Sequence, residues 1–166
     1  MVPFREFIEL NGSDHKNGTY VEWKLSLESA VNLKNACEKL GINNILDPSS
    51  FHVTICYSRK PVPKLADVWR KNSRILATGK KWSLFDTQSG GKCLVLEIDS
   101  QNTCETYHEI CKDYGASHDF PEYKPYVTIC YDYDKDEVPN KIPDTKLIFD
   151  ECNVKPLDPE FIPGKE

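Results

Sequence analysis

The 166-residue chain is 28% charged and 39% hydrophobic, with a net charge of −5. It is long enough to bury a real core, as one domain over residues 1–166 or as two small lobes sharing that core. The acidic balance argues against a general duplex-DNA binder. No apolar run approaches the ~18 residues of a membrane span, and the start MVPFREFIEL lacks a signal peptide's basic and then apolar character.

In chain order, GTYVEWKL (18–25) alternates and is rich in strand formers, which predicts a half-buried strand. From Ser26 the period becomes helical. Ala30, Val31, Leu33, Ala36, Cys37 and Leu40 form one face, with Ser26 as N-cap and Gly41 as stop. A turn at DPSS leads into the strand FHVTICY. Between Arg59 and Lys81 stand eight lysines or arginines against one acid, Asp67, with a short helix expected near Leu65–Lys71. This positive stretch suits either a solvated loop or the grip on a small anionic ligand. RILATGKKWSLFDT then reads as strand, turn and strand, QSGGK as a hairpin turn, and CLVLEID as a buried strand. Ser100 opens a second helix that ends near Gly115. The loop ASHDFPEYKP delivers the strand YVTICY, and KLIFDE and CNVKPL supply one or two more. The seven cysteines lie mostly among apolar neighbours, without CxxC or Cys/His ligand spacing. They read as buried free thiols in a reducing cytosol, and no metal site is expected.

VTICY occurs twice, at Val53–Tyr57 and Val127–Tyr131, each time after a strand, a helix and a loop. That pattern indicates an internal duplication. It predicts an α+β fold of two pseudo-symmetric lobes around a central cleft, with antiparallel sheets, flanking helices, and the VTICY strands near the axis. Alternate residues of a strand share a face, so His52 points with Thr54 and Tyr126 with Thr128. Two such strands across a cleft can form a phosphodiester site. One side chain takes the proton of the attacking oxygen, the other protonates the leaving oxygen, and the hydroxyls hold the nonbridging oxygens. Spacing alone leaves a purely structural repeat equally open.

FHVTICYSR and its second copy resemble the two His-x-Thr motifs of the 2H phosphoesterase superfamily. DTQSGGKCLVLEIDS and YGASHDFPEYKPYVTICY are similar to the anti-CBASS nuclease family of T-even-type phages, which destroys the cyclic-oligonucleotide alarm signals of bacterial defence. The resemblance runs from about Gly18 to Phe161 and is weakest between Pro61 and Lys81. It implies a two-lobed 2H fold, cyclic di- and trinucleotides as ligands, and cleavage of 3′–5′ phosphodiesters without metal or cofactor. It also implies action in the cytoplasm of the infected host. His52 and Thr54 correspond to the first catalytic pair, and Thr128 keeps the second hydroxyl. Tyr20 matches a tyrosine that stacks on a nucleobase. Phe161 falls where the family has a C-terminal tryptophan with the same task, and an aromatic face suits any base.

The departure is Tyr126, where the family has its second histidine. A phenol of pKa near 10 can donate a hydrogen bond and sometimes a proton, but at neutral pH it is not a base. Three readings follow: a slower phosphodiesterase with His52 as base and Tyr126 as acid, a sponge that holds the signal intact, or an engineered substrate-trapping variant. An RNA ligase or RNA-end phosphodiesterase of the wider superfamily is a further alternative. Arg59, just past the first motif, is the expected phosphate partner. His118 either lines the site or satisfies its own loop. His108 and His15 read as surface residues, Trp23, Trp69 and Trp82 as packing, and QSGGK lacks P-loop spacing.

Overall fold

A computed structural model describes residues 15–69, 73–87, 89–118 and 122–157. Strand β1 (Thr19–Leu25) is followed by helix α1 (Leu27–Lys39) and strands β2 (His52–Ser58) and β3 (Ile75–Asp86). Then come β4 (Lys92–Asp99), α2 (Thr103–Asp113), β5 (Tyr126–Cys130) and β6 (Leu147–Pro156). Ser26 caps α1 as expected, its hydroxyl accepting from the Ser29 amide at 3.2 Å, and Ala30, Leu33 and Cys37 bury one face. Helix α2 starts later than predicted, because Asn102 stands in the left-handed region. Ser100 still takes the Cys104 amide at 3.0 Å.

Two expectations change. RILATGKKWSLFDT contains no turn: β3 is one strand of 12 residues. Its Gly79 marks a register shift rather than a corner, and a β-carbon there would meet Ile142 at 2.8 Å. KLIFDE and CNVKPL, expected as one or two strands, form the single strand β6. Finally, His108 and His15 are buried, at 3% and 4% exposure. His15 Nδ1 shares a 2.7 Å hydrogen bond with the Thr19 hydroxyl.

The strands follow one another as β1-β2-β5-β4-β3-β6 and close into a barrel, with β6 returning to β1. All pairings are antiparallel. The two VTICY strands meet at one registered pair, Val53 with Val127, the same letter of the repeat. Across the ring, Ala77 of β3 pairs with Leu147 of β6. A half-turn about the line through these two pairs lays β1, β2 and β6 on β4, β5 and β3. Even the irregularities coincide. The shift after Val21↔Cys56 matches the one after Leu94↔Cys130. The shift between Lys24↔Glu151 and Leu25↔Phe149 matches that between Glu97↔Lys81 and Ile98↔Gly79.

Each half of the chain is therefore strand, helix, strand, strand. The last strand of each half does not stay with its own lobe: β3 lies beside β4, and β6 lies beside β1. The lobes predicted from the repeat exchange their third strands. Val21, Trp23, Leu33, Ile55, Leu94, Leu96, Val127 and Ile129 are all fully buried in one core that also takes in residues of both helices. Each of the aliphatic ones contributes ~1.5–3 kcal/mol of burial.

Candidate functional site

Strands β2 and β5 alternate in step. His52, Thr54, Tyr126 and Thr128 are half-buried, while Val53, Ile55, Val127 and Ile129 are fully buried. Because the Val53–Val127 pair points into the core beneath the helices, the other four project from the opposite face, two on each side of that pair. This second face is the one turned away from the helices. Beyond Val53–Val127 the strands splay, and backbone carbonyls of β2 take side-chain donors instead. The Tyr123 hydroxyl donates to the Thr54 carbonyl at 2.8 Å. His108 Nδ1–H donates to the Ile55 carbonyl at 2.7 Å. The two rings stack, 4.2 Å apart and 6° from parallel, with His118 edge-on to His108 at 4.4 Å. His118 thus packs behind the motif strand.

Proton positions at His52 follow from its partners. Nδ1 lies 2.8 Å from the Ser50 carbonyl, which can only accept, so Nδ1 carries the proton. In the neutral ring Nε2 is then a lone pair. It faces the Tyr20 hydroxyl at 3.1 Å, and that hydroxyl lies 2.6 Å from Thr54 Oγ1. The phenol has one proton. It goes to His52, and the Thr54 proton goes to the phenol oxygen. Tyr20 itself is 9% exposed and packs with Tyr57 and Leu157 apart from the main core, with Lys155 Nζ 5.6 Å over its ring. The resemblance implied a nucleobase-stacking ring at Tyr20. In the structure that ring is covered, and its hydroxyl joins the two motif side chains.

The symmetry-related side differs in chemistry. Cys93 stands where Tyr20 stands in the first lobe, and its thiol shares a hydrogen bond with Thr128; burial pushes that thiol up to about 11. Tyr126 packs edge-on against Phe85 at 5.3 Å. Burial, with a smaller contribution from Cys93, raises its phenol above the usual 10. Lys24 pairs with His52 in the register, whereas Glu97 pairs with Tyr126. Glu97 accepts from the Ser83 hydroxyl at 2.5 Å and lies 3.7 Å from Lys81 Nζ. In the first lobe the buried Glu22 holds Lys155 at 3.4 Å and accepts from Asn153 at 3.2 Å.

Of the remaining expectations, Arg59 lies at the margin, its guanidinium 5.6 Å over the Tyr57 ring, which meets Tyr20 edge-on at 6.4 Å. Phe161 lies outside the described residues. The basic segment is not one surface: its described residues divide between the Arg59 loop, a short turn at Pro63–Asp67 and strand β3. Trp23, Trp69 and Trp82 all pack, Trp23 against Trp69 at 5.0 Å and Tyr107 at 4.9 Å; Trp82 donates to the Lys141 carbonyl at 2.8 Å. Sequence reasoning did not single out Tyr123, Glu22, Lys155 or Cys93. His108 had a legible signal, since it continues the buried stripe of Cys104 and Cys111 on α2. Among the described residues no helix is long and apolar enough to cross a membrane.

The profile of the anti-CBASS protein Acb1 family matches residues 17–163. The chain is 32% identical over 149 residues to the anti-CBASS protein Acb1 of Vibrio phage KVP40, covering 90% of this chain and 93% of that protein. Among solved structures, Usb1 of Kluyveromyces marxianus aligns with a TM-score of 0.54 at 8% identity, over 85% of this chain and 94% of its own. A phosphoesterase aligns with a TM-score of 0.50 at 10% identity, over 82% and 85%. These two likenesses concern the fold alone, and the fold is the two-lobed α+β architecture of 2H phosphoesterases that the resemblance implied. Taken with the family match and the relative from phage KVP40, the chain belongs to the anti-CBASS protein Acb1 family.

Proposed function

We propose that this protein binds cyclic di- and trinucleotide signals of bacterial CBASS defence and slowly cleaves their 3′–5′ phosphodiester bonds in the cytoplasm of the infected host. One observation carries this reading: His52 with Thr54 and Tyr126 with Thr128 share one face on either side of the Val53–Val127 pair. Their relatives' name, anti-CBASS protein, supports the target. His52 Nε2 removes the proton from the attacking oxygen, a 2′-hydroxyl of the ligand or a water. Thr54 and Thr128 hold the nonbridging oxygens as the new P–O bond forms. Tyr126 gives its proton to the leaving oxygen as the old bond breaks, and the His52 proton returns to the phenolate through solvent. No metal or cofactor takes part. Arg59 holds a neighbouring phosphate, and the ring of Phe161, with that of Tyr20 once it leaves its covered place, receives nucleobases.

A raised phenol pKa makes Tyr126 a weak acid, which slows the second half of this sequence and favours an intact bound ligand. That observation supports the sponge as a second reading. One experiment separates the two. The protein is incubated with cyclic dinucleotides and trinucleotides in EDTA, then heated to release what it holds, and the ligand is chromatographed. Linear product that vanishes in His52→Ala identifies an enzyme. Intact ligand recovered in stoichiometric amount identifies a sponge. Neither product nor retained ligand refutes the proposal.

A further inference from the structure

The Tyr20 hydroxyl lies within hydrogen-bond reach of both His52 Nε2 and Thr54 Oγ1, at 3.1 and 2.6 Å. His52 has a single lone pair, because Nδ1–H is committed to the Ser50 carbonyl, and Thr54 has a single proton. Both are taken by one phenol. A base must offer that lone pair to the substrate, and a hydroxyl that holds a phosphoryl oxygen must offer that proton. Neither group can do so while Tyr20 keeps its two bonds.

We propose that Tyr20 is an internal, displaceable stand-in for the ligand: its phenol oxygen fills the place of a phosphoryl oxygen and must leave before a phosphodiester can engage His52 and Thr54. This rests on the reading above, in which those two residues contact the phosphate. The surroundings suit such a device. The ring sits in a small satellite cluster with Tyr57 and Leu157, separate from the main core, so its movement leaves the barrel intact. Lys155 lies over the ring, its ammonium held by Glu22 at 3.4 Å. The equivalent place in the second lobe holds Cys93, a thiol hydrogen-bonded to Thr128 in place of a phenol, so the device belongs to one lobe. An empty first site is thereby kept hydrogen-bonded rather than open to any passing anion, and occupancy is coupled to release of the ring.

Tyr20→Phe tests this, since it keeps the ring and deletes the competing oxygen. Imidazole resonances of isotopically labelled histidine, assigned with His52→Ala, are followed during titration with inorganic phosphate and separately with cyclic di-AMP. We expect His52 in Tyr20→Phe to respond at roughly five- to tenfold lower concentration of either probe, the worth of about one net hydrogen bond. Equal or weaker binding by the variant overturns the proposal, because the hydroxyl would then be assisting the ligand. If phosphate behaves as expected but cyclic di-AMP binds neither protein, the stand-in holds and the cyclic-nucleotide reading fails. If neither probe reaches His52 in either protein, both fail. Should the variant not fold by circular dichroism, the wild-type protein decides: a Tyr20–His52 nuclear contact that persists at saturating phosphate refutes displacement.

Discussion

Tyr126→His asks whether the second motif position limits turnover. The substitution removes an edge-on contact with Phe85 at 5.3 Å, a loss of ~0.5–1.5 kcal/mol in stability. In exchange it brings a proton donor of ordinary pKa near 6.5 in place of a phenol raised above 10. The new ring lies opposite Glu97, whose carboxylate favours the protonated imidazole, the form a general acid needs. Glu97 already shares its charge with Ser83 and with Lys81 at 3.7 Å, so its influence is muted. General acid catalysis by a well-placed side chain spans about 10²–10⁴-fold. We expect the lower end, about 10²-fold in kcat, or ~2.7 kcal/mol off the barrier. The assay is single-turnover cleavage of a cyclic dinucleotide in EDTA from pH 6 to 9, with the double variant carrying His52→Ala as the blank. A folded Tyr126→His protein no faster than wild type across that range would refute the assignment of Tyr126 as the leaving-group acid.

Tyr123→Phe leaves the Thr54 carbonyl without its 2.8 Å donor on a buried strand; we expect a loss of ~1–3 kcal/mol in urea unfolding, together with a lower kcat in the Tyr126→His background. Unchanged stability would mean that the carbonyl finds another partner. Burial raises Cys93 and Cys104 from 9.0 to about 11 and Cys37 and Cys152 to about 12. A raised thiol contributes stability that is fully present below the unfolded pKa and is lost as pH rises toward the folded one. The urea midpoint should therefore hold steady to about pH 8.5 and fall from pH 9 upward; a flat profile to pH 10 would show that the thiols keep no such protons.

The readable parts of this fold are those written in local chemistry. VTICY repeats letter for letter because the strand core and the two facing site positions constrain the same residues in both halves. Ser26 reads as a cap because its role is local, and Trp23 reads as core because its strand neighbours are charged. The exchanged strands are different. β3 and β6 occupy equivalent places yet share little sequence, since one lies at Gly79 where the other has Phe149. Tyr20 carried an aromatic signal, but its hydroxyl contacts depend on a partner 32 residues away. Tyr123 serves a carbonyl exposed only because the two motif strands part after one pair, a tertiary fact that no periodicity encodes. His108 was misplaced by residue type: a histidine on a buried helical stripe is core when a strand carbonyl waits for its proton.

The exchange of third strands has a consequence for how the two ends of the cleft could become unlike. A single strand-helix-strand-strand unit cannot close this ring; two copies related by a half-turn can. When the copies are separate chains of one sequence, whatever side chain one end presents, the other must present too. Joining them in a single chain removes that obligation. His52 against Tyr126, Tyr20 against Cys93 and Lys24 against Glu97 are differences between equivalent positions that two copies of one sequence could not hold.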